Sequence, residues 1–133
     1  SFPHQEPITM PRKLLFAVDG SNACLHAFLW AMDNVHNSDD HWTIIHVYED
    51  PAIYAENLIA GDPKAFAQQV QKHAEHVLST FEKRLLEKKI SHSTILKGGS
   101  VKEEIVRETE TGKYQMLLIG SRGMGGVKRA LIG

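Results

Sequence analysis

Apolar residues along this chain fall into two rhythms. Lys13 to Asp19 (KLLFAVD), Trp42 to Tyr48 (WTIIHVY), His92 to Lys97 (HSTILK) and Met116 to Ile119 (MLLI) are short apolar runs. The first is apolar on both faces, as a strand buried between two layers must be. Between these runs the spacing becomes helical. Ala23 to Val35 (ACLHAFLWAMDNV) is one such segment. In a longer one, Phe66, Val70, Ala74, Val77, Phe81 and Leu85 recur at intervals of four, four, three, four and four. That is one apolar stripe on a long amphipathic helix. Ser21 stands at an N-cap position, and Asn37 and Ser38 close the first helix. A longer connection, Glu49 to Gly61, precedes Asp62-Pro63, a cap and first helical position for the second. Ser100-Val-Lys-Glu103 has the form of a capping box, and the helix it opens runs to Thr111, with Gly112 closing it.

Strand and helix therefore alternate down to a fourth strand, a pattern that predicts an α/β fold. The expected architecture is an open, doubly wound parallel sheet, a Rossmann-like three-layer α/β/α arrangement with right-handed crossovers. Ligands in such sheets bind outside the carboxyl ends of the strands, where the strand order reverses. Two carboxyl ends stand out: Val18-Asp19-Gly20-Ser21, and Ile119-Gly120-Ser121-Arg122-Gly123. If the first and fourth strands are neighbours, both loops flank the switch point. Residues 1–11, with Pro3, Pro7 and Pro11, read as a flexible leader, and residues 12–133 as one domain.

Composition narrows the function classes. A formal charge of −1 and a pI near 6.7 give no sign of a general nucleic-acid binder. Arg122, Lys128 and Arg129 make only a local basic spot. No apolar stretch has the length of a membrane span, and the N-terminal residues lack the apolar core of a signal peptide. Cys24 is the single cysteine, so no intramolecular disulfide forms, and the expected location is the cytoplasm.

Five of the ten glycines lie between Gly120 and Gly133, directly after the fourth strand. Glycine gives up the most backbone freedom on folding, so this density asks for a reason. A strand that enters a glycine-rich loop and then a helix cradles phosphate, because backbone N–H groups can turn to the anion unobstructed. The bland alternative is a tight turn. The sequence lacks G-x-x-x-x-G-K-[ST], and Gly123-Met-Gly125-Gly126 fails G-x-G-x-x-G at Lys128. Asp19 stands without the acidic partner of a phospho-receiver domain, and the third strand ends Leu96-Lys97-Gly98-Gly99 rather than in aspartate.

The spacing that does fit is Gly120-x2-Gly123-x9-Gly133. With KLLFAVDGS at 13–21, IIHVYED at 44–50 and GSRGMGGVKRALIG at the end, the chain resembles the nucleotide-binding subclass of the universal stress protein family over roughly residues 12–133. That resemblance implies strand order 3-2-1-4-5. In the family a Ser or Thr follows the last glycine and the fifth strand comes later. The domain is therefore expected to be C-terminally truncated, with the fifth strand absent. It further implies that Gly120, Gly123 and Gly133 let the loop approach ribose and phosphates. Ala17, Val18 and Asp19 would line the adenosine pocket, Val47 would meet the adenine edge through its main chain, and Ser121, Arg122 and Met124 would add contacts. The implied ligand is ATP, or AMP or ADP, with Mg²⁺ held through the phosphates. The implied role is a regulatory, stress-response module that homodimerises and acts through protein partners. A slow ATP-hydrolysing enzyme on the same fold, or a dimer that binds no nucleotide, are the alternatives.

Other candidates read blandly. His73 and His76 lie three apart on the long helix, but no third ligand is evident, so no metal site is expected. His46 reads as a satisfied core histidine beside the expected adenine pocket, and Cys24 as a buried, inert thiol. No base or nucleophile accompanies Asp19, which suits it to bond a ribose or cap the next turn rather than to catalyse. Glu82-Lys83-Arg84 and Glu87-Lys88-Lys89 read as a solvated helix face.

Overall fold

The computed structural model describes residues 11–49 and 62–120, with the backbone of 127–131. In chain order the elements are β1 (Lys13–Ala17), α1 (Asn22–Asn34), β2 (His41–Tyr48), α2 (Pro63–Glu87), β3 (His92–Gly98), α3 (Val101–Thr111), β4 (Met116–Gly120) and β5 (Val127–Leu131). The expected leader lies outside the described residues up to residue 10.

Local chemistry accounts for most boundaries. Ser21 Oγ accepts from the Cys24 N–H at 3.1 Å and starts α1. The Asp62 carboxylate accepts from the Lys64 N–H at 3.0 Å, with Pro63 opening α2. The third boundary differs from its sequence reading. Ser100 holds the N-cap position with extended backbone, but its side chain makes no capping bond. Glu103 and Glu104 instead place negative charge in the first turn of α3, where the helix dipole favours it. Glu104 also pairs with Arg107 at 2.6 Å and lies 3.7 Å from Lys97.

The sheet order is β3-β2-β1-β4-β5. The first four strands pair in parallel, β1 lying between β2 and β4. This is the doubly wound α/β arrangement expected from the alternation. The fifth position requires a correction, because a fifth strand is present. β5 folds back antiparallel on β4, with Gly120 beside Val127 and Met116 beside Leu131. An edge strand presents a row of unpaired N–H and C=O groups, and the segment that follows within a few residues is the easiest to pair with it.

Side chains of the parallel strands alternate between two cores. Leu14, Phe16 and Val18 of the first strand and its exit join Trp42, Ile44, Met116 and Leu118 beneath α1 and α2. Leu15, Ala17, Ile45 and Val47 point the other way and meet Tyr114, with Ile105 of α3 packed against them. Phe28 of α1 is the hub of the first core. Its ring centroid lies 5.0 Å from Phe16, 5.6 Å from Trp42 and 5.1 Å from Phe81, edge-on in each case.

The amino-terminal edge of the sheet is tied by one ion pair. Arg12 Nε and Nη2 donate to Asp40 at 2.9 and 2.7 Å, and Nη2 also donates to the Val35 carbonyl at 2.8 Å. The Asn37 N–H adds a third bond to the Asp40 carboxylate at 2.8 Å. Burial opposes ionisation of Asp40, but the bonds from Arg12 and Asn37 and the charge of Arg12 outweigh it and lower its pKa from the usual 3.8. A carboxyl lowered in the folded state stabilises the fold above its unfolded pKa and loses that contribution as pH falls through its folded value. The stability of the parent is expected to decline below about pH 4. Asp40→Ala leaves the part-buried donors of Arg12 and Asn37 without this partner and should cost about 1–2 kcal/mol at pH 7, with a shallower acid decline, measured by urea denaturation across pH. Equal acid slopes for parent and variant would contradict this role.

Candidate nucleotide site at the carboxyl edge of the sheet

β2 outruns β1. Pairing between them ends where Ala17 lies beside Ile45, whereas β2 continues along β3 through Val47 beside Lys97 and Tyr48 beside Gly98. Backbone hydrogen bonds of a parallel strand alternate in direction. The His41 N–H donates toward β1, to Arg12, at 2.8 Å, and Ile45 accepts from the Val18 N–H at 2.8 Å. Trp42 donates to Ser91 at 2.9 Å, and Tyr48 accepts from the Gly99 N–H at 2.9 Å, both on the β3 side. Val47 belongs to the first set, so its N–H and C=O face the β1 side beyond the last rung of that ladder. The next acceptor there would be the Val18 carbonyl. His46 takes it instead, with Nδ1 at 2.8 Å.

The chain leaving β1 is held by a second group of bonds. One oxygen of Asp19 accepts from the Ser21 N–H at 2.8 Å and from the Ser21 hydroxyl at 2.5 Å. This is a side-chain-closed turn, and the same Ser21 oxygen caps α1. Asp19 is exposed, and its other oxygen meets no partner among the described residues. Ala17 and Val18 are buried beneath it, and Val47 is buried beside them.

Cys24 closes the base of this turn. It is fully buried; its Sγ accepts from the Asp19 N–H at 3.4 Å and lies 3.9 Å from the Ala17 carbonyl. Burial pushes its thiol up to about 11. The inert reading therefore prevails over activation by the helix dipole.

Gly120 ends β4 immediately beside α1. A Cβ there would stand 2.9 Å from the Cys24 Cα, 3.2 Å from Sγ and 3.3 Å from the Ala27 Cβ. Gly120 therefore lets helix and strand approach, a demand that glycine spacing alone did not reveal. At the end of β3, Gly99 has φ +146, a conformation that favours glycine.

Of the residues that the sequence points to, Ala17, Val18, Asp19, Val47 and Gly120 come together at the carboxyl edge of three adjacent strands. Ser121, Arg122, Gly123, Met124 and Gly133 lie outside the described residues. A cleft of about 200 Å³ opens beside Asp19, with Leu25, Val77 and Phe81 as its apolar wall and Ser21, Asn22, His73, His76 and Thr80 along it. The sequence marks His73 and His76 only as candidate metal ligands, and Val77 and Phe81 only as part of the apolar stripe; that they line a cleft beside Asp19 is seen only in the fold. Among the described residues no group of three His, Cys, Asp or Glu side chains is placed to hold a metal. No helix there is long and apolar enough to cross a membrane.

The model of the universal stress protein family matches residues 10–133. The chain is 25% identical over 130 residues to universal stress protein YxiE of Bacillus subtilis, covering 93% of this chain and 88% of that one. Among solved structures, it is similar to a universal stress protein family protein of Arabidopsis thaliana with AMP bound. That match has a TM-score of 0.65 and 25% identity, covering 86% of this chain and 80% of the other. A family protein from Burkholderia pseudomallei shares the fold, with a TM-score of 0.68, 18% identity and coverage of 86% and 85%.

Two outcomes follow from the packing at this edge. Gly120→Ala should destabilise the protein by about 1–3 kcal/mol, because the added methyl meets helix backbone rather than a movable side chain. Denaturant unfolding measures this, and an unchanged midpoint would contradict the packing role. Cys24 should react with a thiol-specific reagent at pH 7.5 at least about 100-fold more slowly than a free thiol, and normally once unfolded.

Proposed function

The chain belongs to the universal stress protein family, and on that footing we propose that it is a nucleotide-binding regulatory protein of the stress response. Its ligand is ATP, or ADP or AMP in its place, bound at the carboxyl edge between β1, β2 and β4. The observation that carries this reading is the main chain of Val47, whose N–H and C=O face the gap left where the β1 ladder ends. Adenine presents a ring-nitrogen acceptor beside an amino donor on one edge, which matches one backbone N–H and one C=O. Guanine presents the reverse order there, so the same pair disfavours it. The buried side chains of Ala17, Val18 and Val47 make the surroundings apolar, as a neutral base requires.

The second oxygen of Asp19 stands ready to accept from a ribose hydroxyl, while the first is committed to Ser21. Gly120, Ser121, Arg122, Gly123 and Met124 supply the phosphate cradle in this reading, and Mg²⁺ would be held there through the phosphates; Gly133 is left out of it, because β5 ends with Leu131 beside Met116, at the other end of β4 from Gly120. Support from known proteins comes from the 25%-identical Arabidopsis relative solved with AMP. Homodimerisation and regulatory protein partners belong to the same reading, and the role needs no turnover of the nucleotide.

Calorimetric titration tests it. ATP or AMP should bind one per chain and GTP at least about tenfold more weakly. Asp19→Asn keeps the Ser21 clamp but weakens the ribose contact, and should reduce affinity about three- to tenfold. Gly123→Val should abolish binding while circular dichroism stays unchanged. An absence of binding by the parent, or parent-like affinity in both variants, would overturn the reading.

A further inference from the structure

His46 is buried near the carboxyl end of β2, one residue past the last β1–β2 pair, and its ring bonds no side chain among the described residues. It bonds a main-chain carbonyl, that of Val18, at 2.8 Å through Nδ1. A carbonyl can only accept, so Nδ1 carries the proton in this contact. The identity of the accepting group gives the contact its meaning. Val18 donates its N–H to Ile45, as the last rung between β1 and β2. In a continuing parallel ladder its C=O would then receive the N–H of Val47. Pairing stops at Ala17 instead, although β2 runs on to Tyr48.

We propose that His46 is a positioning residue for base recognition: by occupying the Val18 carbonyl it ends the β1–β2 ladder one rung early and keeps the Val47 N–H available to the adenine ring. This rests on the nucleotide-site reading above and adds a specific determinant to it. The device suits a site that reads a base through backbone. A backbone donor one rung past a strand end has a competing partner in its own sheet, and a ligand gains most there when that partner is engaged and turned elsewhere. Removing the imidazole returns the Val18 carbonyl to Val47, and the ligand then has to break a sheet bond to gain its own.

The test uses His46→Leu and His46→Asn in the full chain, with two readouts. Leucine fills the space without a donor, whereas the asparagine amide can reach the same carbonyl. In ligand-free protein, hydrogen exchange of the Val47 amide should be about tenfold or more slower in His46→Leu than in the parent, and close to the parent in His46→Asn. ATP affinity should fall about tenfold in His46→Leu and stay within about threefold in His46→Asn, and ATP should protect the Val47 amide in the parent. Equal Val47 exchange in the parent and His46→Leu would overturn the proposal, as would undiminished ATP affinity in His46→Leu. The ligand-free exchange decides the ladder claim even if the parent binds no nucleotide, an outcome that would sink the nucleotide reading itself. Should His46→Leu fail to fold, His46→Gln, whose longer amide overshoots the carbonyl, replaces it with the same expected direction.

Discussion

The β1 ladder stops at Ala17 because three local bonds turn the chain away there: His46 to the Val18 carbonyl, Asp19 to Ser21, and Ser21 to the start of α1. Each is short-range or lies between adjacent strands, so the turn can form as soon as β1 and β2 pair. Its consequence is spatial. β2 projects past its neighbour, and the step between the two strand ends becomes a notch lined by backbone on one side and a carboxylate on the other. The reversal of strand order lies on the other side of β1, between β1 and β4, so the notch adjoins the point where helices cover opposite faces and leave the edge open.

Helix packing fixes the rest of the edge. α1 begins at the turn and runs back over β4, and the absence of a Cβ at Gly120 sets how closely it can lie. Cys24 sits between the two, in contact with the Asp19 N–H and close to the Ala17 carbonyl. Turn, helix and fourth strand are thus mechanically joined at one buried thiol. At the opposite edge, the Arg12–Asp40 pair and the bond from the Trp42 indole N–H to His36 Nδ1, at 2.9 Å, hold the amino-terminal ends of the strands. The two edges divide the labour, with ion pairing and indole bonding for stability at one and recognition at the other.

Much of this was legible in the residues. The apolar runs and the stripe from Phe66 to Leu85 identified the parallel strands and the long helix, because burial on one or two faces leaves a direct periodic trace. Ser21 and Asp62 were recognisable as caps because their bonds span only two or three residues. Ser100 had the same appearance but makes no such bond, since a capping box also depends on where the glutamate side chain points. β5 was missed because its only determinant is the exposed edge of β4, a tertiary circumstance. Gly120 was singled out for phosphate, yet its described surroundings reveal helix packing, a demand that spacing cannot display. His46 was read as a satisfied core histidine; which carbonyl satisfied it depended on the register of β1 against β2.

The central claim is that adenine is read by the main chain of Val47 in the notch beside Asp19. The most direct measurement is a titration of the ¹⁵N-labelled protein with AMP, followed amide by amide. Saturable shifts at one ligand per chain that centre on Val47, Val18 and Gly20, with Lys13 and His41 at the far edge unmoved, are the predicted result. Saturation without any response at Val47, or shifts centred on the amino-terminal edge, would contradict the account.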